Sequence, residues 1–299
     1  MSKYVIFTDS TSDLTTVDCK QLGLWPEMYM QDIVCYGDKV PYDDVEAFYR
    51  KMDNGEYPPG ELKTSSTGSE GFEKILDHII ESTQDEPKTI IVYASTSPYI
   101  SSSTVDTGKA VLDDYRDKYP NRKFIHINTR CVSGGQAVYM KYLAGYKGDN
   151  IEEYALDLSQ HIVHLFTIHD MGYAAKSGRF NIWKSMGMKL MSSLKILPWM
   201  YFPYEGQLTT NGQVYRGDKI LHEWVDYFVE NRADDANFVR VCYGGEAEKE
   251  HAEKLVRLLK KKADLEDDQI NFVHIGPIIA SHTGSTVLAL FFKQKNERS

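Results

Sequence analysis

Positive charge is scarce in this sequence. Its 299 residues carry 34 lysines and arginines against 43 aspartates and glutamates, a net charge of −9. That balance repels nucleic-acid backbones and anionic lipid surfaces, so no nucleic-acid partner and no stable membrane insertion is expected. Cysteine is also sparse. Cys19, Cys35, Cys131 and Cys242 stand far apart with no Cys-x-x-Cys pair, which suggests neither a zinc site nor a redox pair and fits reduced thiols. No apolar run reaches the ~18 residues of a membrane-spanning helix. The first nine residues, Met1 to Asp9, run into a strand without the layout of a signal peptide. The expectation is a soluble, cytoplasmic protein.

The common catalytic signatures are missing too. There is no Gly-x-Ser-x-Gly elbow, no Gly-x-x-x-x-Gly-Lys-Ser/Thr phosphate loop and no Gly-x-Gly-x-x-Gly fingerprint. The nine histidines are scattered, and none shows metal-ligand spacing with a carboxylate. No metal and no cofactor is expected. A Ser–His–Asp hydrolase is conceivable only because the residue types exist.

What is present is a recurring unit of buried strand, hydroxyl-rich turn and helix. In Thr89-Ile90-Ile91-Val92-Tyr93-Ala94 an apolar run reads as a parallel strand. It leads into Ser95 to Thr104, where seven of ten residues are serine or threonine, and then into a helical pattern with Val105, Val111 and Tyr115. One or two hydroxyls suffice to cap a helix. Seven at the carboxyl edge of a parallel sheet, beside a helix N-terminus, point to capture of a phosphate or carboxylate. The unit recurs at Lys3–Phe7 with the turn Thr8 to Leu14, and at Lys123–Ile127 with the turn Asn128 to Gly135. A third polar turn is read at Lys63 to Ser69, before a helix carrying Phe72, Ile75, Leu76 and Ile79. Asp9 and Asp13 could hold Mg²⁺, but capping is the preferred reading.

Beyond His164 the pattern changes. Hairpin turns are read at 205–207 and 211–213, a Met-rich segment at 181–194, and a polar turn holding His282 between Gly276 and Gly284. The expected fold is therefore α/β in two domains. Residues 1–164 form a mainly parallel three-layer α/β sheet, and residues 165–299 a mixed or antiparallel sheet with helices. On composition and spacing alone, this is an α/β protein that binds a small anion.

Taken together, the turns resemble the DegV family. The blocks are Thr8-Asp9-Ser10-Thr11-Ser12-Asp13-Leu14, Thr64-Ser65-Ser66 with Glu70-Gly71-Phe72, Ser95-Thr96 with Ile100-Ser101-Ser102-Ser103, Ser177-Gly178-Arg179, Lys195-Ile196-Leu197-Pro198 with Glu205-Gly206-Gln207-Leu208, and Ile275-Gly276-Pro277 with His282-Thr283-Gly284. They stand in the family's order along nearly the whole chain. The resemblance implies a fatty acid held between two α/β domains by a subunit with no catalytic residue. That subunit presents the carboxylate to a separate fatty acid kinase catalytic subunit, which makes acyl-phosphate from ATP for phospholipid synthesis. By the same resemblance the carboxylate-holding serine falls on Ser95 or Thr96, the threonine on Thr64 and the histidine that orients it on His282. Ser65, Ser97 and Thr283 adjoin them in the same set. The arginine that docks the kinase falls on Arg179. Spacing departs from the family pattern between Ser95 and Ser101, so Ser95, Thr96 and Ser97 all remain candidates. An acyl chain needs an adaptable apolar tunnel, for which Met186, Met188, Met191, Ile196, Leu197, Ile278 and Ile279 are the candidates. The alternative is an enzyme on the same scaffold, a phosphotransferase or a Ser/His hydrolase.

Overall fold

The structure is a computed structural model that describes residues 3–176, 196–204 and 208–298. Its N-terminal part holds two small sheets. Strands β1 (Tyr4–Phe7), β5 (Ile90–Ser95) and β6 (Phe124–Asn128) form a parallel sheet in the order β1-β5-β6. Strands β2 (Asp32–Cys35), β3 (Asp38–Lys39) and β4 (Leu62–Ser65) form a separate antiparallel sheet in the order β3-β2-β4. The C-terminal part is one mixed sheet of β7 (Ile162–Ile168), β8 (Ile196–Tyr201), β9 (Thr209–Arg216), β10 (Val239–Tyr243), β11 (Ile270–His274) and β12 (Val287–Lys293). Its order is β11-β10-β12-β7-β8-β9, with β10 and β11 parallel and the other pairs antiparallel. The expected α/β class, with a parallel sheet followed by a mixed one, is what the chain adopts. Strand β7 pairs within the six-stranded sheet along its whole length, so the two residues before His164 also go with the C-terminal elements.

Three local readings change. Residues 62–65 are a strand rather than a turn. Leu62 is buried, Lys63 exposed and Thr64 half-buried, and the backbone pairs with Asp32–Cys35. This short polar segment gains its partners from β2, not from its own apolar content. Residues 211–213 lie within β9, opposite β8 across a bulge near Pro198, and not in a turn. The hydroxyl-rich stretch after β5 is helical from Pro98, in helix α4 (Pro98–Lys118), which kinks where Ser101 leaves helical geometry.

The remaining helices are α1 (Thr16–Leu22), α2 (Val45–Asp53), α3 (Glu70–Ser82), α5 (Ser133–Gly145), α6 (Ile151–Ser159), α7 (Gly172–Lys176), α8 (Lys219–Asn231), α9 (Glu246–Ala263) and α10 (Pro277–Thr283). Local chemistry sets several ends. Thr15 and Asp18 form a reciprocal capping box on α1, and Gly23 closes it in the left-handed conformation.

Three apolar clusters hold the layers together. Phe7, Tyr93, Phe124, Phe72 and Leu76 join the parallel sheet to α3 and α4. Leu165, Val241, Leu290, Trp224, Phe228 and Leu255 join one face of the six-stranded sheet to α8 and α9. The third and largest lies between the sheets and runs from Ile6, Val92 and Ile127 to Phe166, Ala289 and Phe291. Helix α5 sits within it. A Cβ on Gly134 would overlap the Phe291 ring, and one on Gly135 would overlap the His164 ring. Glycine is therefore required where α5 meets the C-terminal sheet. All four cysteines are buried and free. Among the described residues no helix is long and apolar enough to cross a membrane.

Candidate functional site

The carboxyl ends of the parallel strands carry a buried polar network. Asp9, fully buried, accepts from the Thr96 N–H at 2.9 Å, from the Tyr93 hydroxyl at 3.1 Å and from the Thr11 N–H and hydroxyl. Burial pushes its carboxyl above the usual range, and those donors pull it back only in part. Gln136 of α5 donates to the Thr8 hydroxyl at 2.9 Å, and its Oε1 lies 2.9 Å from the Thr11 hydroxyl. Asp9 thus caps the turn after β1, in line with the capping reading. Asp13 points elsewhere and accepts from Ser133. Burial raises its carboxyl to about 6.

Two of the three candidate hydroxyls at 95–97 are engaged beside this network. The Ser95 hydroxyl lies 2.9 Å from His126 Nε2 and 3.1 Å from the Thr96 carbonyl oxygen. The Thr96 hydroxyl donates to the Cys131 carbonyl at 3.2 Å. Both residues are wholly buried. Burial, then the nearby Lys109 and Arg116, hold His126 down at about 4, so its ring is neutral at pH 7 and can accept the serine proton. Ser97 differs. It is the cap residue of α4 without a side-chain capping bond, and its backbone N–H donates to the Cys131 carbonyl at 3.0 Å.

Helix α10 supplies the second half of the site. Gly276 and Pro277 start it and Gly284, at φ +83°, ends it. The polar turn read from the sequence is therefore a two-turn helix. It brings the His282 Nε2 to 3.0 Å from the Thr64 hydroxyl on β4, a contact between residues 218 apart in the chain. Ser65, next along the strand, faces the other way and is exposed. Thr283 spends its hydroxyl on its own helix, at the Ile279 carbonyl.

His282 and Thr283 line a small apolar cavity of about 60 Å³ together with Ile279, Tyr99 and Ile100 from the start of α4, Val132, Phe166 and Ile168 on β7, Phe202 and Leu208. Of the expected tunnel residues, Ile279 is here. Ile278 instead faces a larger cleft of about 700 Å³ on the outer side of α10, beside Asp13, Arg240 and Met28. That cleft is open, and it lacks the Thr64–His282 pair. Leu197 packs into the cluster under α8 and α9, and Ile196 is half-buried opposite Arg216. Met186, Met188, Met191 and Arg179 lie outside the described residues. Phe166 and Ile168 were missed, although their i, i+2 spacing on a strand puts them on one face.

Comparison with known proteins follows the same outline. The sequence model described as "Uncharacterised protein, DegV family" matches residues 3–295. A DegV domain-containing protein of Clostridium perfringens is 27% identical over 304 residues, covering 98% of this chain and 98% of its own. The crystal structure of a stearic acid-binding protein from Eubacterium ventriosum is similar at a TM-score of 0.77 with 19% identity, over 99% of each chain. That of a DegV family protein from Eubacterium eligens loaded with heptadecanoic acid is similar at 0.75 with 16% identity, over 98% of this chain and 100% of the other.

Proposed function

The chain belongs to the DegV family, and from that premise we propose that it binds a long-chain fatty acid and presents the carboxylate to a separate ATP-dependent kinase subunit. The observation that carries this reading is His282, which lines an apolar cavity and meets the Thr64 hydroxyl at 3.0 Å. A carboxylate needs donors, and Thr64, His282 and the cap position at Ser97 offer them. The acyl chain needs a dry lining, and Ile279, Phe166, Ile168, Phe202 and Ile100 provide one. At about 60 Å³ the cavity holds only a few waters. A bound chain must therefore push these side chains apart as it enters.

Affinity then divides unevenly. About 15 methylenes at ~0.8 kcal/mol each give roughly 12 kcal/mol before costs. A hydrogen bond contributes on the order of 1 kcal/mol, or about 1.5–3 when one partner is charged. The lining retains the ligand, and the polar pair selects and orients its head group. Arg179 remains the proposed kinase contact by the family pattern alone.

The second reading is a Ser/His hydrolase, favoured by the 2.9 Å Ser95–His126 contact. It suffers from the complete burial of Ser95, which leaves no route for a substrate to the hydroxyl. One experiment tests both. The protein is incubated with fatty acid and ATP, with and without a fatty acid kinase catalytic subunit, and in parallel with an acyl ester alone. Acyl-phosphate formed only with both subunits supports the carrier. ATP consumption or ester cleavage by this chain alone refutes it.

A further inference from the structure

The fold assembles a donor set from two histidines and a carboxylate far from the Thr64–His282 pair in the chain. Glu248 and His251 stand three apart on α9 and so share one face of the helix. His169, just past the end of β7, is held over them by its backbone N–H, which donates to the Thr286 carbonyl at 3.0 Å. His169 Nδ1 lies 2.7 Å from Glu248 Oε1, and His251 Nδ1 lies 3.3 Å from Glu248 Oε2. The two imidazole rings stack with centroids 5.0 Å apart and planes within 18°. One donor atom from each residue falls within 4.8 Å of the other two.

We propose that His169, Glu248 and His251 form a binding site for a divalent transition metal ion of the zinc class. Two imidazoles and a carboxylate make a donor set that such ions take readily, with a further position left for water. Bonds of about 2.0–2.2 Å in a tetrahedral site would set neighbouring donors roughly 3.4 Å apart. The observed 2.7 and 3.3 Å separations need only small side-chain rotations to meet that.

Two further observations point the same way. Glu248 is 3% exposed, yet among the described residues no lysine or arginine lies within ion-pair distance of it. Among those residues, a carboxylate buried this deeply has only the two imidazoles beside it, the ligand types a metal ion would share with it. In addition, Glu248 Oε2, His169 Nδ1 and His251 Nδ1 approach one another without meeting the angular requirements of hydrogen bonds. Lone pairs aimed at a common point give that arrangement. The other nitrogen of His251 faces Asp218 at 3.8 Å, and Lys254 pairs with Asp218 in turn. A carboxylate behind a ligating imidazole is the usual outer support of such sites. The site shares no residue with the lining of the Thr64–His282 cavity, so it stands or falls independently of fatty acid binding.

The test uses the full chain, purified without a histidine tag and stripped with chelator. Cobalt(II) is titrated in and followed by its visible ligand-field bands, then displaced with zinc(II). One equivalent per chain is expected. His251→Ala and Glu248→Gln should each weaken binding more than about 100-fold, and Asp218→Asn within the roughly 10–100-fold typical of an outer partner. Because Glu248 is buried, Glu248→Gln can fail to fold. His251, half-exposed on a helix surface, then decides the question. Absence of ligand-field bands, or bands that persist unchanged in His251→Ala, would overturn the proposal.

Discussion

Thr64→Val puts the division between head-group selection and chain retention to a direct test. Valine keeps the β-branched shape and the strand preference of residue 64 and removes only the hydroxyl that meets His282 at 3.0 Å. Thr64 is half-buried at the end of a four-residue strand, so the cost to folding should stay below about 1 kcal/mol. The bound carboxylate loses one charge-assisted donor, about 1.5–2 kcal/mol. At 1.4 kcal/mol per tenfold, the Kd for a C16–C18 acid should rise about 10- to 30-fold. Against roughly 12 kcal/mol gross from the chain, binding survives. The control is the methyl ester of the same acid, which has the chain but no charge. Displacement of a fluorescent fatty acid gives both Kd values in wild type and variant. The penalty should appear for the acid and be several-fold smaller for the ester. Equal penalties would mean that Thr64 shapes the cavity and does not hold the head group, and the assignment of the polar end would fail.

Other outcomes follow from the same contacts. Ser97→Ala should lower fatty acid affinity by about threefold to tenfold with little change in Tm. Ser95→Ala should lower stability by roughly 0.5–1.5 kcal/mol, because it removes a hydrogen-bond partner of half-buried His126, and leave affinity nearly unchanged; the reverse pattern would return the carboxylate to Ser95. Gly135→Ala should cost at least 1–3 kcal/mol, since its methyl collides with His164, and calorimetry of the variant would show it. The pH dependence of His126 has a definite sign. Its folded value is about 4 against 6.5 in the unfolded chain, so below pH 6.5 the unfolded state binds the extra proton. The stability advantage of wild type over His126→Asn should hold above pH 6.5 and shrink as pH falls towards 4, as urea unfolding at several pH values would report. Asp13 acts in the opposite sense: raised to about 6, it favours the folded state below about pH 4, an advantage lost as pH rises through 6. The His126 comparison cancels that contribution if Asp13 is unchanged in the variant.

The parallel strands were legible because each is a short run of Ile, Val and Phe buried on both sides and bounded by polar turns. The strand at 62–65 was not, since Leu-Lys-Thr-Ser has no such run and owes its form to β2. The helix at 277–283 was hidden by its bounding glycines and its Ser-His-Thr end, which also fit a turn. Its consecutive residues Ile278 and Ile279 point into different clefts, as neighbours on a helix must. Thr64 and His282 were assigned through family resemblance, and the fold does bring them together. The different partners of Ser95, Thr96 and Ser97 lay beyond local sequence. They include His126 and Cys131, more than thirty residues away, which occupy the first two hydroxyls. His169 likewise meets Glu248 only through the pairing of β7 in the larger sheet.

The seat of α5 has a mechanical consequence. At its N-terminal end two glycines press flush against Phe291 and His164 of the C-terminal sheet, while the very next residue, Gln136, is bonded to Thr8 and Thr11 at the edge of the parallel sheet. A single helical turn thus rivets the two halves at the centre of their common core. Swinging them apart like jaws would tear out buried contacts on both sides of that rivet at once. On the proposed reading, the fatty acid would thread in from one flank past local side chains, with slow exchange governed by small openings near α10 and not by a clamshell motion of the whole molecule.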